Sequence, residues 1–111
     1  MIEKIILDYL NANMPVPAYM EEPEDVPAEY LRIEKQGSGY KDHVKSAVIT
    51  VQSYGASLYR AAELNSQVVE KMLESVKQKE IARCALNSDY CFNDTATHRY
   101  RYQAVFEIVY F

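Results

Sequence analysis

Tryptophan is absent from this chain of 111 residues, which also holds only three glycines, two cysteines and two histidines. Each shortage narrows the chemistry. His43 and His98 fall in a turn region and at a strand start, without the partners that a general acid or base needs. Cys84 and Cys91 lie seven positions apart, a spacing of neither zinc nor redox Cys-x-x-Cys pairs. Gly37-Ser38-Gly39 is too short for a phosphate loop, because no Lys-Ser/Thr and no helix start follow it. The acidic run Glu21, Glu22, Glu24 and Asp25 lacks the spaced carboxylates and closing glutamate of a calcium loop. No cofactor, metal or catalytic residue is therefore expected.

Long apolar runs are missing too. None approaches the roughly 20 residues needed to span a bilayer. The opening segment has no basic start and carries Glu3 and Asp8 within its apolar stretch, so a secretory signal is not expected and the cysteines should stay reduced.

What is present describes a small globular domain: 49% hydrophobic residues, 25% charged, and ten tyrosines. The length suits a single domain over residues 1–111 with one core. The net charge of −4 is unevenly spread, with seven acids and one lysine in residues 1–29 and a small basic excess after them. The densest charged patch is thus acidic, which disfavours direct nucleic-acid binding.

Residues 57–79 give the clearest pattern. Leu58, Ala61, Ala62, Val68, Val69, Met72, Leu73 and Val76 recur at the spacing of one helical face, and Ser57 is placed to cap it. A shorter helix is expected from Ile2, Ile5, Ile6, Tyr9 and Leu10, stopped by Pro15 and Pro17. Val16, Ala18 and Met20 suit a short extended piece that its prolines confine to a sheet edge. Residues 30–35 and 44–54 alternate as strands, with a glycine turn at 36–39 whose connection extends as far as Asp42. A short strand is expected at 81–86, with Cys84 sharing a face with Ala82 and Leu86, then a polar loop at 87–97. The strongest strand spans 98–111, with Tyr100, Tyr102, Ala104, Phe106, Ile108 and Tyr110 on one face. The fold class is α+β: a mixed, mainly antiparallel sheet of four or five strands against a long central helix and a short N-terminal helix.

Several segments together resemble the tail terminator family of long-tailed bacteriophages and prophages, also called tail completion or tail-to-head joining proteins. They are Met-Pro-Val-Pro-Ala-Tyr-Met-Glu-Glu-Pro from Met14, Pro-Ala-Glu-Tyr-Leu-Arg-Ile-Glu-Lys-Gln-Gly from Pro27, and Ser-Tyr-Gly-Ala-Ser-Leu-Tyr-Arg-Ala-Ala-Glu-Leu-Asn from Ser53. Leu-Asn-Ser-Asp-Tyr-Cys-Phe-Asn-Asp-Thr from Leu86 and Arg-Tyr-Arg-Tyr-Gln-Ala-Val-Phe-Glu-Ile from Arg99 complete the set. The likeness covers nearly the whole chain but consists of structural residues, not a catalytic signature.

The resemblance implies a homo-oligomeric ring, a hexamer, that caps the tail tube, ends its polymerisation and offers a surface to the head. Its partners would be the tube protein and head–tail connector proteins, with no membrane involved. It would assemble in the host bacterial cytoplasm and remain in the tail or neck of the virion. A ring needs two different patches that meet head to tail. Glu21, Glu22, Glu24 and Asp25 are the expected acidic patch, meeting Arg99 and Arg101 of a neighbour. Ordinary solvated surface is the plainer reading of both patches. A neck or head-completion protein, a small dimeric ligand-binding regulatory domain and a small enzyme are the other readings.

Overall fold

The computed structural model describes residues 1–111. A first helix, α1 (Ile2–Asn13), buries Ile2, Ile6, Tyr9 and Leu10. Prolines 15 and 17 prevent its continuation, and the chain returns as a two-residue strand, β1 (Ala18–Tyr19). Asn11 fixes that return. Its side-chain amide donates to the Ala18 carbonyl at 3.2 Å and its oxygen accepts from the Ala18 amide at 2.9 Å.

Two long strands follow, β2 (Tyr30–Lys41) and β3 (Val44–Gly55), then α2 (Leu58–Leu73), a 3-10 turn over Glu74–Lys77, β4 (Ile81–Cys91) and β5 (Tyr100–Tyr110). The result is α+β, with five strands in the order β1-β2-β3-β5-β4; only the β1–β2 pair is parallel. Ser57 caps α2 as its position suggests, its hydroxyl accepting from the Arg60 amide at 3.1 Å. Regular α-helix stops at Leu73 rather than at residue 79. Ser75 Oγ donates to the Met72 carbonyl at 2.5 Å as the chain tightens into the 3-10 turn.

Both helices lie on one face. Leu31, Ile33, Ala47, Ile49, Val51, Ala104, Phe106 and Ile108 form the sheet side of the core, and Leu64, Val68 and Met72 the α2 side. The opposite face of the sheet carries no helix. Along β3 it presents Val48, Thr50, Gln52 and Tyr54, and along β5 Arg101, Gln103, Val105, Glu107 and Val109.

Three expectations are corrected. The β2–β3 turn is not at the glycines: both continue in β2, and the chain reverses at Asp42 and His43, with φ of 52° and 65° between paired Lys41 and Val44. Two successive left-handed residues make the tight turn whose twist matches a hairpin, and Asp and His tolerate that region better than most side chains. The polar segment at 87–91 is strand, not loop, so Cys91 ends β4. Third, Ala82 does not share a face with Cys84. An irregularity between Ile81 and Arg83 shifts the alternation, so Ile81 and Cys84 are both buried while Ala82 is exposed.

Gly55 sits where α2 folds back on the sheet. A Cβ there would lie inside van der Waals contact with the Ala61 backbone. Gly55→Ala should cost about 3 kcal/mol, the upper end of overpacking penalties, measured by urea unfolding. Putting Asn-Gly in place of Asp42-His43 should stabilise the chain by about 1 kcal/mol, by relieving left-handed strain at residue 43. A hairpin that actually turned at the glycines would show no such gain.

Candidate functional site

The residues most densely linked by polar and aromatic contacts gather where β2 begins and β3 ends. Tyr30 and Tyr54 are register partners, and their rings stack at 4.4 Å with 6° between planes. Tyr19 meets Tyr30 edge-on at 6.0 Å. Tyr30 donates its hydroxyl proton to Glu22 Oε1 at 3.0 Å and accepts from Arg99 Nη1 at 2.8 Å. Arg99 in turn donates to Glu22 at 2.6 Å. A charge-assisted triangle thus ties the acidic segment before β2 to the residue just ahead of β5.

Arg101 organises the neighbouring loop. It donates from Nε to the Phe92 carbonyl at 2.7 Å and from Nη1 to the Tyr54 hydroxyl at 3.0 Å. Its guanidinium lies 4.5 Å from the Phe92 ring centroid and 3.8 Å from Asp94 Oδ2. Asp94 Oδ1 accepts from the Ala96 and Thr97 amides, turning the chain toward His98, which is left-handed at φ 57°. Across the same sheet face, Gln52 donates to Gln103 at 2.9 Å and Gln103 to the Tyr90 hydroxyl at 2.6 Å. A further clamp joins the residue ahead of β2 to the first turn of α2, where Arg60 Nε reaches both carboxylate oxygens of Glu29 at 2.9 and 3.1 Å.

The structure therefore brings Glu22 and Arg99 together within one chain, and it engages Arg101 there as well. Glu21, Glu24 and Asp25 are exposed and form no ion pair within the chain. Sequence reading missed Tyr30, Tyr54, Phe92 and Asp94 as members of this cluster. Counting back from the Asp42-His43 turn would set Tyr54 opposite Leu31; the shift between Lys35 and Gly37 moves it to Tyr30, and such an irregularity has no reliable mark in composition. The contacts of the 92–99 loop have no local signal either.

Other reactive groups stand apart. His43 is at the β2–β3 turn and His98 at the opposite end of the sheet. No three His, Cys, Asp or Glu side chains converge as a metal-ligand set. Cys84 is buried, which raises its pKa and keeps the thiol protonated, while Cys91 is exposed; both are free. A shallow trough of about 510 Å³ crosses the open sheet face over Gly37, Val48, Ala85 and Glu107. No helix is long and apolar enough to cross a membrane. Set against models of known families and against curated proteins, the chain matches none.

Hydrogen bonds from Tyr30 and then Arg99 hold the Glu22 pKa below its usual value. Burial, followed by the bond to Glu22, pushes the Tyr30 phenol well above its own. The signs differ at the two ends of the pH scale. The Glu22 contribution is present at neutral pH and lost as pH falls below about 4, where the carboxylate protonates. The Tyr30 contribution holds through neutral pH and falls above about 10, where only the unfolded chain releases the proton readily. Thermal melts across pH should show Glu22→Gln with a shallower acid limb and Tyr30→Phe with a shallower alkaline limb. Unchanged limbs in both variants would mean the triangle is not formed in solution.

Proposed function

We propose that this chain is a structural virion-assembly protein of the tail terminator kind. In this reading it forms a ring, a hexamer, on the tip of a phage tail tube, ends tube polymerisation and provides the surface for head attachment. It is not an enzyme, takes no cofactor and makes no direct contact with nucleic acid. Assembly in the host cytoplasm and residence in the tail or neck of the virion follow from that role. The observation that carries the reading is the run of terminator-like segments along nearly the whole chain. Its support in the fold is the placement of both helices on one sheet face, with α2 as the central helix. The other face and the sheet edges then remain for protein contacts.

The expected charge contact takes a narrower form in this proposal. Arg99 and Arg101 hold the rim together inside each subunit, and Glu21, Glu24 and Asp25 are the charges available to a basic surface on a neighbour, tube protein or connector. Such contacts steer orientation and association rate more than they add affinity. A second reading, the small ligand-binding dimer, is favoured only by the trough on the open face. A neck protein on the head side would share every feature named here and is separated by which particle it binds.

Native mass spectrometry over a concentration series tests the assignment. A discrete ring, and binding to purified tails rather than filled heads, are expected; a dimer at every concentration, stabilised thermally by a metabolite, would transfer the assignment to the ligand-binding reading. The triple variant Glu21→Lys, Glu24→Lys, Asp25→Lys should slow capture by tails severalfold at low salt, with its melting temperature unchanged. Equal capture rates would remove this patch from the contact.

A further inference from the structure

The sheet ends in two strands that lack partners along most of their length. β1 covers only Leu31 and Arg32, so β2 is unpaired on its outer side over residues 33–41. β4 is the other edge. Strands β2, β3, β5 and β4 alternate in direction, so a second copy set alongside in the same orientation presents its β2 antiparallel to β4.

The two edges also match in level. One row across the sheet runs Gly37, Val48, Glu107, Ala85, and the next runs Gly39, Ser46, Val109, Arg83. Both edges are irregular, and the irregularities bracket the match. In β4 they fall between Ile81 and Arg83 and between Leu86 and Ser88, leaving residues 83–86 regular; in β2 the shift between Lys35 and Gly37 leaves residues 37–41 regular. Bulges of this kind limit indiscriminate edge pairing, so only a partner with the complementary short span fits.

Gly37 flanks the β2 irregularity, a usual place for a strand glycine, but its φ is not positive and a Cβ built on it meets nothing within 4 Å. Its bare backbone leaves room for a second strand to approach closely. Exposed Arg83 on β4 has no ionic partner in its own chain and is free to extend across the edge. On the helix side, Leu73, Val76 and Leu86 are between 36% and 46% exposed, and a second copy's β2 would bring its covering α1 toward them.

We infer that β4 of one copy pairs antiparallel with the free part of β2 of a second copy, continuing the sheet head to tail. Ala85 then lies beside Gly37 of the second copy, and Arg83 extends over the side-chain-free strip at its Gly37 and Gly39. The contact is heterologous, so repetition closes a ring or runs on as a filament. This deepens the ring proposal and rests on it only for closure.

The test uses the full chain in native mass spectrometry, with Gly37→Lys and the double variant Gly37→Lys, Arg83→Glu. The added lysine should meet Arg83 of the neighbour and raise the concentration for assembly at least about tenfold. Circular dichroism and the melting temperature should stay those of the wild type. Arg83→Glu in the same chain should restore assembly, which a merely misfolded variant would not do. A Gly37→Lys protein that assembles like the wild type overturns the edge contact while leaving the ring proposal standing. So does a wild-type chain that stays monomeric at every concentration yet binds tails. A chain that neither assembles nor binds tails overturns both.

Discussion

Strand β3 is the constraint on which the molecule depends. It is paired on each side over all but one end residue, with β2 across a ladder that shifts once, between Lys35 and Gly37, and with β5 in a single unbroken register. Its helix-side residues Ala47, Ile49, Val51 and Ser53 are all buried. A shift of one residue in either ladder would turn Ile49 and Val51 outward and bring Thr50 and Gln52 under the helices. The strand also ends at Gly55, where the chain must pass against Ala61 to lay α2 back across β3 and β5. Position, register and helix placement are therefore one decision, taken along a single strand.

That decision leaves the two sheet faces with different tasks. Under the helices the contacts are almost wholly apolar, with Asn65 an exception that donates to Asp89 on β4 at 2.8 Å. On the open face, Thr50, Gln52 and Tyr54 are also buried, but beneath other side chains rather than under a second layer. Polar groups in that position must find partners within the face. The Gln52–Gln103–Tyr90 chain and the tyrosine–arginine cluster supply many of them, although Gln52 Oε1 and Arg32 Nε remain without one. The open face is thus a knit surface, fixed in shape before anything binds to it.

How much of this could be read from sequence depends on range. The amphipathic helices, the Ser57 cap, the proline-limited edge strand and the apolar face of the last strand all rest on near neighbours. Periodicity captures them. The hairpin turn was misplaced because Gly-Ser-Gly is a strong turn signal, whereas Asp-His becomes one only when both strands continue far enough to require a tight reversal. The alternation of β4 was lost at Ala82 because a bulge has no reliable composition. The Glu22–Arg99 pair spans 77 positions, and only the completed sheet brings its members together. Charge counting found both patches but could not tell whether they meet within a subunit or between subunits.

A sheet with two open edges invites uncontrolled association, and chains that tolerate it blunt their edges. This one does so in part, with a two-residue β1, irregularities in β2 and β4, and Lys35 drawn toward Glu3 at 3.4 Å. The protection is uneven. It is weakest over Gly37 to Lys41 and Arg83 to Leu86, the two regular spans that lie level across the sheet. If exposure of those spans carried only risk, a β-branched residue at Gly37 would cost the fold nothing and strengthen the strand. The glycine at that position borders the β2 irregularity and leaves the strand's backbone bare on its outer side, where a β-branched side chain would shield it.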